Sequence, residues 1–506
     1  MKTVTRFMLK VFTLILALVI PVFTLTVASC PNADDSFVYL QYGEGNPASD
    51  SAFSTGNIKS PNLTITINSD VKYQYVRGFG GMDSAWSSPK MEIEEYQILF
   101  DPDKLGYNIF RIMIPPGNTN VSESMKSVHR NYIDAVKLVN SYGGYVLASP
   151  WTPPAAWKSN NSTVGGGSLL PAHYSNYANY LKAFTQYMNS NGAPIYAVSI
   201  QNEPDWVVSY DGCEWTPEQM RDFHKQVGRF TSGVPGYGGG KSNPHVLIMS
   251  GESLGRPTIN DAALNDPQSK DVIDLIGRHL YQNAQYRSGN AIDNAKKEVW
   301  MTEYNRNSGK ADLYPNDSTW DYVWVFLNMI DVSMRLNDES AFIWWYSKRF
   351  YSLIGDGEYG ATEGRIMPRG YALSHYAKFA KEKRRIGLTV SGKTASGEDI
   401  ALGFNFNNSG FNANTVAAKA TAFMSEDGNE ISIVLFTPTS TSGAYGLDLG
   451  VVQINLPAGF TAAKATAMRS TAKTKAGEQT VILSADKKSA MVRMPPGNIL
   501  SVSFTK

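Results

Sequence analysis

The sequence predicts an α/β fold, a (β/α)8 barrel with an appended antiparallel β-sandwich side domain. Two patterns and one absence predict it. Between residues 77 and 386, eight short apolar runs alternate with amphipathic stretches of helical period. After about Gly387 the pattern changes to short β-branched segments separated by Gly, Ser, Asn and Pro, as in a sandwich. A doubly wound open sheet would also alternate strands and helices, but Gly78-Phe-Gly-Gly81 lacks the spacing of a phosphate-cradling turn.

The elements follow in chain order. Residues 1–29 read as a signal peptide of lipoprotein type: Lys2, Arg6 and Lys10 precede an apolar run from Val11 to Val27, and Val27-Ala-Ser-Cys30 resembles a lipoprotein box. Cleavage there would leave Cys30 to carry the lipid, making the protein a secreted or cell-surface lipoprotein of a bacterium. Residues 30–56 are polar and suit a flexible tether. Residues 57–76 contain the alternating run Leu63–Ile67, placed here as strands of the side domain.

The barrel is assigned to residues 77–386, with strands at Arg77–Gly81, Asn108–Ile114, Tyr145–Ser149, Ala197–Gln201, Val246–Ser250, Leu275–Leu280, Glu298–Thr302 and Ala341–Trp345. Tyr174–Ser190 and Trp215–Arg229 are among the intervening helices. The side domain is assigned to 387–506, with strands at Glu430–Phe436, Val451–Leu456, Thr480–Leu483 and Ile499–Phe504.

Composition narrows the function classes. With 46 Lys+Arg against 45 Asp+Glu, no single-sign field is available to hold nucleic acid. A membrane association is expected only through a lipid at Cys30. There are 6 His and no His/Cys cluster of zinc-like spacing, so neither a metal nor another cofactor is expected. The second cysteine, Cys213, reads as a buried hydrophobe or a loop thiol. A monomer is expected. The 27 Tyr, 22 Phe and 10 Trp would suit stacking on sugar rings, although large cores use aromatics too.

Two strand ends carry the chemistry. Ala197-Val-Ser-Ile-Gln-Asn-Glu203 and Glu298-Val-Trp-Met-Thr-Glu303 each run an apolar strand into a carboxylate, where a barrel places its active site. A lone strand-end Glu is more often a salt-bridge or capping residue. Two of them, one within Asn202-Glu203-Pro204, match the pair of carboxyls that glycosidic cleavage requires.

Around these residues the chain resembles glycoside hydrolase family 30. The likeness rests on Gly78-Phe-Gly-Gly-Met82, Arg111 within Phe110-Arg-Ile-Met-Ile-Pro-Pro116, Ala148-Ser-Pro-Trp-Thr-Pro-Pro154, Ser199-Ile-Gln-Asn-Glu-Pro-Asp205, Gly277-Arg-His-Leu-Tyr281 and Trp300-Met-Thr-Glu303. The resemblance implies Glu203 as acid/base, Glu303 as nucleophile, and Asn202 on the sugar 2-hydroxyl. It also implies Trp151, Trp206, Trp345 and Tyr281 as substrate-binding residues, with Arg111 and His279 in support. Core packing is the competing role for the tryptophans, and is preferred for Trp344, because adjacent strand residues face opposite ways.

Trp344-Trp-Tyr-Ser-Lys-Arg-Phe-Tyr351 resembles the bacterial glucuronoxylanase subfamily. The resemblance implies that Arg349, Tyr351 and Ser308 grip a glucuronic acid branch on β-1,4-xylan. Asn305 departs from the subfamily pattern, and the loop from Gly355 to Pro368 is long for it; both would loosen the branch requirement. The alternatives are another family 30 endo-glycanase (β-1,6-glucanase or β-1,6-galactanase) and a non-catalytic polysaccharide-binding lipoprotein.

Overall fold

The computed structural model describes residues 61–83, 90–128, 132–255, 257–281, 290–306, 321–393, 419–437, 450–471, 475–494 and 497–506. The signal, the tether with Cys30, and Ser308 therefore lie outside the described residues.

The strands up to the end of the barrel are β1 (Leu63–Val76), β2 (Gly78–Met82), β3 (Ile109–Ile114), β4 (Tyr145–Pro150), β5 (Ala197–Ser199), the outlying hairpin β6 (Gly236–Gly238) and β7 (Lys241–Asn243), β8 (Leu247–Ser253), β9 (Leu275–His279), β10 (Glu298–Tyr304) and β11 (Ala341–Trp344). Eight of them close a parallel barrel in the order β2-β3-β4-β5-β8-β9-β10-β11. Their inner faces fill the lower barrel with Ile109, Tyr145, Leu147, Met249, Leu275, Trp300 and Ile343. The outer faces pack against helices such as Tyr174–Ser190 and Pro217–Val227. The second of these starts on a capping box, in which Thr216 and Gln219 bond each other's main chains.

Period-2 alternation sets what points into the mouth. Arg111 shares the inner face of Ile109, and Ser149 that of Tyr145 and Leu147. On β10 a register shift between Met301 and Glu303 breaks the alternation. A bulge of this kind re-aims side chains, and it lets both Thr302 and Glu303 meet groups at the barrel mouth.

The side domain continues with β12 (Lys383–Gly392), β13 (Lys419–Met424), β14 (Glu430–Thr437), β15 (Gly450–Asn455), β16 (Lys464–Ser470), β17 (Gly477–Glu478), β18 (Ile482–Leu483), β19 (Ser489–Met494) and β20 (Asn498–Thr505). These join β1 in one ten-stranded sheet, order β17-β16-β20-β14-β13-β12-β1-β15-β19-β18, whose two halves enclose one apolar core. It is antiparallel except where β1 lies parallel to β15.

The strand β12 begins at Lys383, ahead of the boundary drawn at 387. Lys383-Arg-Arg385 is a run of three cationic residues. In the fold each charge has a partner on a neighbouring element: Lys383–Glu430 2.7 Å, Arg384–Glu426 3.1 Å and Arg385–Asp338 2.6 Å.

The strand β14 explains how the domains stay together. Ile431, Ile433 and Leu435 enter the side-domain core, while Val434 and Phe436 face the barrel's. Each such buried side chain contributes about 1.5–3 kcal/mol. At this interface His375, on the barrel helix Pro368–Phe379, bonds Ser501 at 2.8 Å and Ser470 at 2.9 Å.

Candidate active site

At the C-terminal mouth of the barrel, a cleft of about 500 Å³ is lined by Trp151, Glu203, Trp206, Tyr210, Leu254, Tyr281, Glu303, Asn305 and Trp345. Glu203 follows β5 on a turn whose φ is +46°, a left-handed backbone that side chains rarely adopt. Glu303 sits in the bulged end of β10. One oxygen of each carboxylate and a His279 ring nitrogen lie within 4.8 Å of one another.

Both carboxylates are buried and held. His279 bonds Glu203 Oε1 through Nδ1 at 3.0 Å, and its Nε2 is 4.0 Å from Glu303 Oε2. Arg111, with no exposed surface, donates from Nη1 to Glu303 Oε2 at 2.6 Å and from Nη2 to Asn202 Oδ1 at 2.6 Å. Its Nε donates to Ser149 Oγ at 3.1 Å, and its guanidinium lies 4.9 Å from the Trp151 ring centre. The Tyr281 hydroxyl donates to Glu303 Oε1 at 2.9 Å and accepts from Asn305 Nδ2 at 3.1 Å.

The electrostatics follow from burial and sign. Desolvation pushes Glu303 above the ordinary carboxylate range, with Glu203 adding to the push while His279 and Arg111 pull back. Burial alone would lower His279, but the charges of Glu303 and Glu203 outweigh it and raise the imidazole above its usual value. The Tyr281 hydroxyl is raised well above its usual value by burial and by Glu303, so it stays a donor.

Glu203, His279 and Glu303 form a set that could geometrically hold a cation. The same atoms already serve one another, Arg111 and Tyr281. Their chemistry is that of a carboxyl pair: one oxygen to give a proton, another to attack.

The fold brings together most residues singled out from the sequence. Trp345 is half-buried and lines the cleft beside Trp151, ring centres 5.8 Å apart, while Trp344 is fully buried. Trp206 is 44% exposed on the rim. Tyr351 is buried, and its main-chain carbonyl accepts a bond from Arg369. Arg349 is 29% exposed, with Nη1 at 3.9 Å from Asp356 Oδ2 and its guanidinium 5.6 Å from the Tyr346 ring centre. Cys213 is a buried free thiol outside the cleft lining.

Sequence reasoning missed three side chains. Tyr210 places its hydroxyl 3.4 Å from Glu203 Oε2. Glu252, at the end of β8, pairs with Arg111 at 3.0 Å. Asp356 faces Arg349. Glu252 carried the same signal as Glu203 and Glu303, a carboxylate at the end of an apolar strand.

Comparison with known proteins agrees with this architecture. Residues 119–308 match the glycosyl hydrolase family 30 TIM-barrel domain. A glucuronoxylanase of Bacillus subtilis is 27% identical over 384 residues, covering 71% of this chain and 82% of that protein. Lysosomal acid glucosylceramidase of Mus musculus is 24% identical over 395 residues, covering 67% of this chain and 75% of that protein. The crystal structure of a family 30 subfamily 8 xylanase from Clostridium acetobutylicum aligns with TM-score 0.69 and 27% identity, over 88% of this chain and 100% of that one. The chain is thus similar to glycoside hydrolase family 30 along its barrel, and its likeness runs to glucuronoxylanases and xylanases.

Proposed function

We propose that this protein is a retaining glycoside hydrolase that cleaves β-1,4-xylan by double displacement. The approach of the Glu203 and Glu303 oxygens to within 4.8 Å carries the mechanism. Retaining enzymes hold their carboxyls about 5–5.5 Å apart, whereas inverting ones need about 6.5–9.5 Å to admit water.

In the first step Glu303 attacks the anomeric carbon and the C–O bond to the leaving sugar breaks. Glu203 gives its proton to the departing oxygen, leaving a glycosyl ester on Glu303. Water, deprotonated by Glu203, then attacks the same carbon and releases Glu303 as a carboxylate. His279 occupies Glu203 Oε1, which leaves Oε2, the oxygen near Tyr210, for the glycosidic oxygen. Arg111 and Tyr281 each hold one oxygen of Glu303 and so fix its attack angle. Asn202, its amide oxygen on Arg111, keeps its NH2 for the 2-hydroxyl of the attacked sugar.

Glu303→Gln should abolish turnover, and NMR of wild-type products should show the β-anomer first. Initial formation of the α-anomer would refute double displacement. Product profiling on glucuronoxylan, unbranched xylan and β-1,6-glucan separates xylanase from a β-1,6-glycanase. A non-catalytic binder would cleave none of them.

The substrate proposed is glucuronoxylan, with Arg349 meeting the branch carboxylate and Tyr351 and Ser308 assisting. This rests on the sequence resemblance and on the partial exposure of Arg349. Asp356 beside it means that the branch meets an arginine already partly neutralised, so preference for branched xylan is moderate. The protein is further proposed to be exported and held at the cell surface by a lipid on Cys30, as a monomer.

A further inference from the structure

Glu252 is fully buried at the end of β8, and it touches the supports of both catalytic carboxylates. Its main-chain N–H donates to Gln201 O at 2.9 Å, and its carbonyl accepts the Glu203 N–H at 2.9 Å, the residue with φ +46°. Its side-chain Oε2 lies 3.0 Å from Arg111 Nη2, while Nη1 of the same guanidinium holds Glu303 at 2.6 Å. We propose that Glu252 is a positioning residue whose carboxylate shares the charge of Arg111, so that Glu303 remains basic enough to attack. The proposal rests on the double-displacement reading.

The charge count gives the reason. The groups facing Glu252 are Arg111 on β3 and His279 on β9, with the hydroxyls of Ser199 and Thr302 beside it, and Arg111 in turn faces Glu303 on β10 and Glu203 after β5. Arg111 is thus shared by two buried carboxylates, Glu252 and Glu303, with His279 close to both. A guanidinium held by Glu303 alone would stabilise its anion strongly, making it a poor nucleophile and a good leaving group. A second anion on that guanidinium weakens this pull, and adds its own repulsion of the Glu303 charge. Burial opposes the ionisation of Glu252, but Arg111 and His279 outweigh burial and keep it ionised.

The position also explains why one side chain suits this task. Glu252 lies opposite Asn202 in the strand pairing and meets Nη2 of Arg111, whereas Glu303 meets Nη1. There it can act on Glu303 through Arg111 without occupying space that a sugar needs, and it is absent from the cleft lining.

The test is the pH profile of Glu252→Gln, a nearly isosteric change that removes the charge. The acid limb of kcat/KM reports ionisation of the nucleophile in the free enzyme. Loss of Glu252 should move that limb down by about one pH unit, because both Arg111 and the lost repulsion then favour the Glu303 anion. With an aryl xylobioside of good leaving group, the glycosylation rate should fall by up to about tenfold, the full effect of one pKa unit, while breakdown of the glycosyl ester slows less or quickens.

Glu252→Asp keeps the anion and should keep the wild-type limb at a lower rate. A Gln variant that is slower but has an unmoved acid limb would reduce Glu252 to a packing role. If the Gln variant does not fold, a downward limb shift in the Asp variant would overturn the proposal equally. Turnover surviving in Glu303→Gln would instead remove the underlying mechanism; an inactive Glu303→Gln with an unmoved Glu252→Gln limb removes only the role of Glu252.

Discussion

Replacing Asp356 by Asn should sharpen the preference for glucuronoxylan, while replacing Arg349 by Ala should erase it. The magnitudes come from the pair's geometry. Opposite charges at 3.9 Å attract by about 4 kcal/mol at an effective dielectric constant near 20. Arg349 is 29% exposed and Asp356 fully enclosed, so solvent screening and side-chain entropy reduce the net coupling to about 1–2 kcal/mol. A branch carboxylate bonded to a free arginine is worth about 1.5–3 kcal/mol. Offset by the internal pair, it leaves about 1 kcal/mol, or roughly fivefold in kcat/KM. Asp356→Asn should raise the ratio of kcat/KM on glucuronoxylan to that on unbranched xylan by about tenfold, measured by reducing-end release. Arg349→Ala should bring that ratio to about one without changing the rate on unbranched xylan, and Asp356→Asn should then have no further effect on the ratio. Equal losses on both substrates in Arg349→Ala would make the arginine structural. An unchanged ratio in Asp356→Asn would show that the internal carboxylate does not compete.

Tyr281→Phe removes one of the two side-chain donors on Glu303 and should lower kcat/KM by about 10–100-fold, as expected for a hydrogen bond to a charge; a loss below twofold would refute its role. His224 and His375 are each pushed down to about 3 by burial, so the fold holds them neutral while the unfolded chain protonates below about 6.5. Their contribution is present above that pH and is lost as pH falls toward 3, at about 3 kcal/mol each by pH 4. His375→Gln should therefore flatten the fall of Tm between pH 6 and 4, and an unchanged slope would refute the assignment. Cys30→Ser should move the protein from the membrane fraction to the soluble fraction with activity intact; continued membrane association would point to an uncleaved Val11–Val27 segment.

The barrel was legible because each of its strands is an apolar run bounded by turn residues or helix signals. Glu203 and Glu303 stood out because each ends such a run. By the same rule Glu252 should have stood out, since it lies two residues past the strand drawn to Ser250 as Glu203 lies past Gln201, but Gly251-Glu252-Ser253 has no counterpart of Asn202-Glu203-Pro204 to mark it. The carboxylates that could be read are those whose own neighbours announce them. What Glu252 does is set by Arg111, on a strand remote in sequence, and by the bulge that turns Glu303 toward that arginine. The same holds for Asp356. The sequence shows a long loop, but which of its acids meets Arg349 depends on how that loop closes: Gly355 N–H bonds Arg365 O, Gly364 N–H bonds Gly355 O, and Lys348 draws Glu363 away at 3.3 Å. In both cases a buried carboxylate would be costly without its cation, so the pairing supports the fold as well as the chemistry. Substituting either acid therefore tests packing and charge together. Charge-neutral, shape-matched amides separate the two effects, because a packing loss lowers every rate alike, whereas a charge effect moves a pH limb or a substrate ratio.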